Sequence, residues 1–247
     1  MELKGITAVI TGSSGRLGYA ITKALAEAGC NCLCHYHRNR QTAEALADQI
    51  QKLGVKAMAV SADISRPEQI EALFAEATKL GTPQILINSA AVFSRQFLNQ
   101  ITFEQAQEVL NTNFIAPILT SRAFAKIIKA KFSTAKSVVG KIINITDVGG
   151  IRPWSGLTVY CASKAALICA TRSLAKELAP GIYVNAVAPG MVTWPGDYDE
   201  SSKNRQLSLI PAGRIAEPTE IADAVIFLLK NDYMTGQILN VDGGRCI

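Results

Sequence analysis

The sequence predicts an α/β fold, a doubly wound parallel sheet of about seven strands with helices on both faces, in one domain over residues 1–247. Three observations carry that expectation. Short apolar, β-prone runs alternate with helical patterns along the whole chain, which is what successive right-handed βαβ units require. Such strands are covered by helices on both faces, so they read as continuous apolar runs. Finally, a glycine-bearing turn stands between the first strand and the first helix.

Taken in order, residues 6–10 form a strand, and residues 20–28 read as helix closed by Gly29, a C-terminal capping residue. Residues 30–36 are a second strand, followed by an alanine-rich helix over 42–53 capped by Gly54. Strands over 55–61 and 84–88 flank a helix over 67–80. One long helix is predicted over 103–131, then a strand over 141–146, a helix over 157–178 and a strand over 183–187. A helix over 220–229 and a strand over 237–241 complete the set, with no linker and no internal repeat. Residues 191–211 differ in texture, being rich in Pro, Gly, Asp and Ser, and read either as a lid or as an ordinary variable loop.

Composition excludes several classes. A chain of 247 residues buries roughly 70–75% of its unfolded surface, so its core needs neither disulfides nor metal. Apolar residues at 49% and charged residues at 18% exclude a disordered chain, and 18 glycines without a triplet period exclude a collagen-like one. The net charge of +5 comes without any block of five like charges, so it makes no case for nucleic acid. The N-terminal apolar stretch is too short and interrupted for a signal peptide, and no run approaches the ~18 apolar residues of a membrane span. A soluble, cytoplasmic protein with no membrane partner is expected. Cys30, Cys32 and Cys34 alternate on one strand face, and the outer two lie ~13 Å apart, too far to share a zinc ion. They read as small buried side chains, and no metal site is predicted.

The turn Thr11-Gly12-Ser13-Ser14-Gly15-Arg16-Leu17-Gly18 is where a doubly wound sheet binds a dinucleotide. Glycines let the backbone approach a pyrophosphate, and the helix N-terminus offers N–H groups and a positive dipole end. After the second strand, an acidic residue would accept from a ribose 2′-hydroxyl and select NAD. This chain instead has His37-Arg38-Asn39-Arg40. Arg38 offers a planar fork of donors to a 2′-phosphate and Arg40 adds charge, so NADPH/NADP+ is the expected cofactor. Asp63, after the third strand, either accepts from an adenine amino group or caps the following helix. Tyr160 and Lys164 are four apart and share a helix face, where the ammonium is expected to lower the phenol pKa for proton transfer.

With these features in place, the chain resembles the short-chain dehydrogenase/reductase family over essentially its whole length. The turn 11–18, Asn88-Ser89-Ala90, Asn113, Tyr160-x-x-x-Lys164, Pro189-Gly190 and the ending Asn240-Val241-Asp242-Gly243-Gly244 match that family in order. The resemblance implies a Rossmann-type homotetramer built on the two long helices, with a nicotinamide cofactor. It makes Lys164 a holder of the cofactor ribose and Asn113 the residue that positions a relay water. By the same correspondence Gly12, Ser14, Arg16, Leu17, His37, Arg38, Asn39, Asp63, Ile64, Asn88, Ala90, Tyr160, Lys164, Pro189, Gly190 and Val192 contact the cofactor.

Two departures from the family pattern point to a branch of it. Arg16 stands where the turn usually has glycine, and Asp147, 13 residues before Tyr160, stands where the catalytic serine usually lies. Both are similar to the pteridine reductase branch, as are His35-Tyr36-His37-Arg38 and Phe93, which there stacks on the pterin ring. The resemblance implies catalytic roles for Asp147, Tyr160, Lys164 and Asn113, and substrate contacts for Arg16, Phe93, Asp147 and Tyr160. Ala91 departs from that branch, which carries a serine there. An ionised Asp147 is acceptor-only and suits a substrate edge bearing N–H donors, whereas a protonated one could donate. Each also has a plainer structural reading: Asp147 as a turn cap with Thr146 replacing the serine, Arg16 as an exposed helix residue, and Phe93 as core. The expected activity is NADPH-dependent reduction of dihydropterins or dihydrofolate. The alternatives are a carbonyl reductase, such as one acting on 3-oxoacyl thioesters of acyl carrier protein, and a non-catalytic cofactor-binding sensor.

Overall fold

The protein is described here from a computed structural model covering residues 1–133, 137–194, 196 and 198–247. The elements run β1 (Thr7–Thr11), α1 (Arg16–Glu27), β2 (Asn31–Tyr36), α2 (Arg40–Gln51), β3 (Ala57–Ser61), α3 (Pro67–Thr78), β4 (Pro83–Asn88), α4 (Phe103–Leu110), α5 (Ala116–Lys131), β5 (Gly140–Ile145), α6 (Thr158–Leu178), β6 (Ile182–Pro189), α7 (Glu200–Leu207), α8 (Pro218–Lys230) and β7 (Ile238–Val241). All seven strands join one parallel sheet in the order β3-β2-β1-β4-β5-β6-β7. The order reverses between β1 and β4, which opens a crevice at their carboxyl ends.

Both sheet faces are buried, and the period-two geometry of the strands divides the core between them. Ala8 and Ile10 of β1 and Ile85 and Ile87 of β4 pack with Leu25, Leu46 and Val225 on the side of α1, α2 and α8. Val9 and Leu86 pack with Phe74 and Phe124 on the side of α3 and α5. Cys30, Cys32 and Cys34 are wholly buried free thiols in the first of these clusters, and burial pushes Cys30 and Cys34 up to about 12. No helix among the described residues is long and apolar enough to cross a membrane, and no described group of His, Cys, Asp or Glu is placed to hold a metal ion.

The structure corrects the sequence expectation in three places. The helix predicted over 103–131 is two helices joined by a π-turn at Asn111–Ile115, closed by Ala116 N–H donating to Asn111 C=O. Pro117 has no N–H to continue the α-ladder, and Asn113 is drawn inward by its side-chain partners. Residues 191–211 are not wholly irregular, because α7 forms there, started by Asp199 accepting from Ser202 N–H at 2.8 Å. That helix buries no residue and so carries no apolar period; Pro195 and Asp197 of the same segment lie outside the described residues. Lastly, α1 opens at Arg16, ahead of the predicted residue 20, because the glycine turn feeds straight into it.

Candidate active site

The turn after β1 is shaped by contacts that only glycine permits. A Cβ on Gly12, which has φ +68°, would lie 2.7 Å from Ala90 Cα, and one on Gly18 would lie 2.2 Å from Gly12 O. These glycines therefore bring the end of β1 against the segment after β4, and fold α1 back onto the turn. Gly15, the residue ahead of α1, makes no side-chain cap, so the first-turn N–H groups remain for an anion.

His35 of β2 holds this turn from below. Its Nδ1 accepts from Gly12 N–H at 3.0 Å, which leaves Nε2 to donate to Ala62 O at 2.9 Å. Ser13 donates through both N–H and Oγ to His35 O, each at 3.0 Å. Burial pushes the imidazole pKa down to about 4, so the ring is neutral at physiological pH. Thr11 Oγ1 accepts from Ser89 and Ala90 N–H at 3.0 and 3.2 Å and ties the loop after β4 to the same turn.

A cleft of about 740 Å³ runs over these elements. Gly12, Ser14, Arg16, Leu17, His37, Arg38, Asn39, Asp63, Ile64 and Ala90, all expected at a cofactor, line it together. Asp63 closes its own turn by accepting from Ser65 Oγ at 2.6 Å and Ser65 N–H at 3.0 Å. Its carboxyl pKa is held below the usual range mainly by that hydroxyl. Asp63 does not cap the following helix, whose N-cap is Arg66; it closes the turn ahead of that helix and lines the cleft. Arg40 does not join Arg38 in the cleft but pairs with Glu44 of its own helix at 2.8 Å.

Five further expected residues lie outside this lining or have their side chains bonded elsewhere. Asn88 does not line the cleft; it is buried and bridges Asn144 and Thr120, because an amide inside an apolar sheet must pair. Pro189, Gly190 and Val192 lie at and beyond the end of β6, outside the lining of this cleft, and Val192 packs into the core. Asn113 is buried with its side chain committed. Oδ1 accepts from Val92 N–H at 2.7 Å, while Nδ2 donates to Val92 O at 2.9 Å and Ser163 Oγ at 3.1 Å. Its amide fastens the loop after β4 to α6 and does not present both donors to a relay water.

Asp147, Tyr160, Lys164 and Phe93 do meet. Tyr160 Oη donates to Asp147 Oδ2 at 2.8 Å, and Gly149 N–H donates to Asp147 Oδ1 at 2.7 Å. Asp147 thus caps the turn at Val148–Gly150 and receives the tyrosine as well. Thr146 Oγ1 donates to Val187 O at 2.9 Å, away from Tyr160, and does not replace a serine. The half-exposed Phe93 ring meets Tyr160 edge-on at 4.9 Å, which excludes a core role. Arg16 is the exposed first residue of α1, as its plainer reading has it, and it also lines the cleft while its Nη1 donates to Thr193 Oγ1 at 2.8 Å.

The expected acidification of the phenol is reversed in this structure. Burial and the neighbouring Asp147 carboxyl push the Tyr160 pKa well above the usual phenol value. Lys164 Nζ lies 5.8 Å from the Tyr160 ring centroid and donates to Ile145 O at 2.9 Å. Its own pKa is pushed down to about 8 by complete burial. Burial also raises the Asp147 pKa. The pair is therefore a protonated tyrosine resting on a buried carboxyl.

Sequence reasoning quoted His35 and Thr11 only within motifs, with no role of their own, and missed Ser163 and Thr193. Of these, His35 left the clearest signal, as a histidine on a fully buried stretch of strand, Cys32–Tyr36. Thr193 meets Arg16 across 177 positions, a distance no local pattern spans.

Comparison with known proteins agrees with this geometry. The family described as Enoyl-(Acyl carrier protein) reductase matches residues 12–245. The chain is 37% identical over 242 residues to Carbonyl reductase family member 4 of Danio rerio, covering 96% of each. It is 32% identical over 244 residues to 3-oxoacyl-(acyl-carrier-protein) reductase FabG of Staphylococcus epidermidis, covering 96% of this chain and 98% of that one. Among solved structures, a blue fluorescent protein from a metagenomic library in complex with NADPH superposes with a TM-score of 0.89 at 31% identity, with both chains fully covered. A dehydrogenase/reductase from Sinorhizobium meliloti 1021 also reaches 0.89, at 34% identity over 100% of this chain and 98% of that one.

Proposed function

We infer the reaction from the premise that the chain belongs to the short-chain dehydrogenase/reductase family. It is an oxidoreductase, and we propose that it uses NADPH to reduce a dihydropterin or dihydrofolate to the tetrahydro form. The cofactor fits the residues present. The side-chain-free cradle at Gly12 and Gly18, the open first turn of α1, and His37 and Arg38 with no carboxylate after β2 suit a dinucleotide bearing a 2′-phosphate. Bound there, NADPH supplies the hydride.

The chain's own residues supply binding and the proton. Tyr160 keeps its proton at neutral pH and serves as the acid that delivers it to N5 of the substrate. Lys164, over the face of the phenol ring, stabilises the negative charge left on the Tyr160 oxygen. Phe93 offers a half-exposed aromatic face beside that hydroxyl for a flat ring system.

One observation carries the substrate class: Asp147, not a serine, receives the tyrosine hydroxyl at 2.8 Å. A carbonyl reductase needs a donor where alkoxide charge develops, and an ionised carboxylate repels that charge. The same carboxylate accepts from the N–H groups along a pterin edge. A second reading, carbonyl reduction, is favoured by the names of the relatives. NADPH oxidation with dihydrobiopterin, dihydrofolate and an acetoacetyl thioester separates the two, using the unmodified enzyme and Asp147→Ser. The pterin reading expects Asp147→Ser to lose pterin turnover while keeping or gaining ketone turnover. Unchanged pterin turnover, or turnover of the thioester alone by the unmodified enzyme, would refute it.

A further inference from the structure

A second cavity, about 250 Å³, begins at Phe93 and shares no lining residue with the dinucleotide cleft. It is smaller than the roughly 300–1,000 Å³ of a whole small-molecule site, so it suits part of a ligand. Trp154 and Tyr198 wall it, Leu157 lies one helical turn before Tyr160, and Arg95 and Arg245 also line it. Among the described residues no Asp or Glu does.

Arg245 is the unusual member. It is only 9% exposed and makes no ion pair among the described residues. Nη2 donates to Gln206 Oε1 at 2.7 Å and Nη1 to Gln206 O at 3.3 Å, which occupies only part of the guanidinium's donors. The group lies 5.6 Å from the Trp154 ring centroid. Gln206 and the indole orient this cation without neutralising it. A buried guanidinium with no counter-charge bears a desolvation cost that an incoming anion would offset.

We propose that this cavity is a subsite for the distal end of the substrate and selects an anionic tail, with Arg245 as its charge partner and Trp154 and Tyr198 as its walls. Resting on the function proposed above, it names a dihydropterin with an aromatic carboxylate tail, a folate, as the preferred class. A phosphate on the arm of an acyl thioester shares the same anionic chemistry.

The test is a binding titration of the NADP+-loaded protein, read by tryptophan fluorescence, so it needs no turnover. The probes are p-aminobenzoylglutamate, 4′-phosphopantetheine and neutral 4-aminobenzamide. An anion should bind more tightly than the amide, and Arg245→Met should shrink that ratio by about ten- to 150-fold, the range for one charge-assisted contact. In the unmodified protein, added salt should weaken the anion and spare the amide, a measurement independent of whether the variant folds. Preference for p-aminobenzoylglutamate supports the folate class. Preference for 4′-phosphopantetheine upholds the anion subsite while overturning the pterin reading. Equal affinity for amide and anions, or a salt-insensitive ratio, overturns the subsite itself.

Discussion

Replacing His35 by leucine tests the support of the phosphate turn. At pH 7.5 the variant leaves Gly12 N–H and Ala62 C=O, now bonded to the imidazole, without partners. Each costs about 1–3 kcal/mol, so a loss of about 2–6 kcal/mol is expected. Acid adds a second signature. Burial lowers the pKa from 6.5 to about 4, with His37 adding repulsion and the Ala62 bond and Asp63 opposing it. Between those values the unfolded chain binds a proton that the folded chain refuses. The stability contributed by a neutral His35 is therefore full above pH 6.5 and declines as pH falls toward 4. At pH 5 the decline amounts to about 2 kcal/mol. The variant lacks this titration, so its deficit relative to the parent should narrow by that amount between pH 7.5 and pH 5. Urea denaturation of both proteins at both pH values measures it, and the difference cancels groups common to the two. A deficit identical at both pH values would refute the assignment of His35 as a neutral buried acceptor.

Arg38→Asp should remove the preference for NADPH over NADH, a change of about ten- to 150-fold in relative affinity, checked by titrating both cofactors; equal affinities in the unmodified protein would contradict the role of Arg38. Tyr160→Phe should lower kcat by about 10²–10⁴ while NADPH still binds, and an unaffected kcat would remove the tyrosine from the proton path. Phe103, Leu110 and Ile115 on and between α4 and α5 are 75%, 38% and 41% exposed, so a two-fold symmetric tetramer covering them is proposed. Light scattering at micromolar concentration checks it, and a monomeric mass would count against it.

The fold was legible because its signals are local. Glycines at fixed offsets, apolar strands and helix caps each act within a few residues, and Gly12, Gly18, Arg38 and Tyr160 stand where such signals place them. What remained hidden depends on long-range pairing or on charge balance. Asn113 sits on a regular helical pattern, yet Pro117 and the amide's partners at Val92 and Ser163 turn that stretch into a π-turn. The Tyr160–Lys164 spacing is readable, but whether the phenol titrates up or down depends on burial and on Asp147. The helix α7 escaped because it buries no side chain that could set a period.

The amide pair between β4 and β5 has a consequence for how the sheet assembles. Asn88 and Asn144 stand opposite one another in the parallel register and meet at 2.8 Å, with Thr120 and Thr171 completing the line from α5 to α6. The strand runs around them are aliphatic and nearly interchangeable, so packing alone discriminates poorly between neighbouring alignments. A slip of one residue would turn the amide of the shifted strand to the face opposite its partner and strand several polar atoms in hydrocarbon, at about 1–3 kcal/mol apiece. The amides thus act as a key that admits one alignment of the two central strands. Because Ser89 and Asp147 lie within two residues of the ends of those strands, the key also fixes how far the cleft and the tyrosine's partner project beyond the sheet.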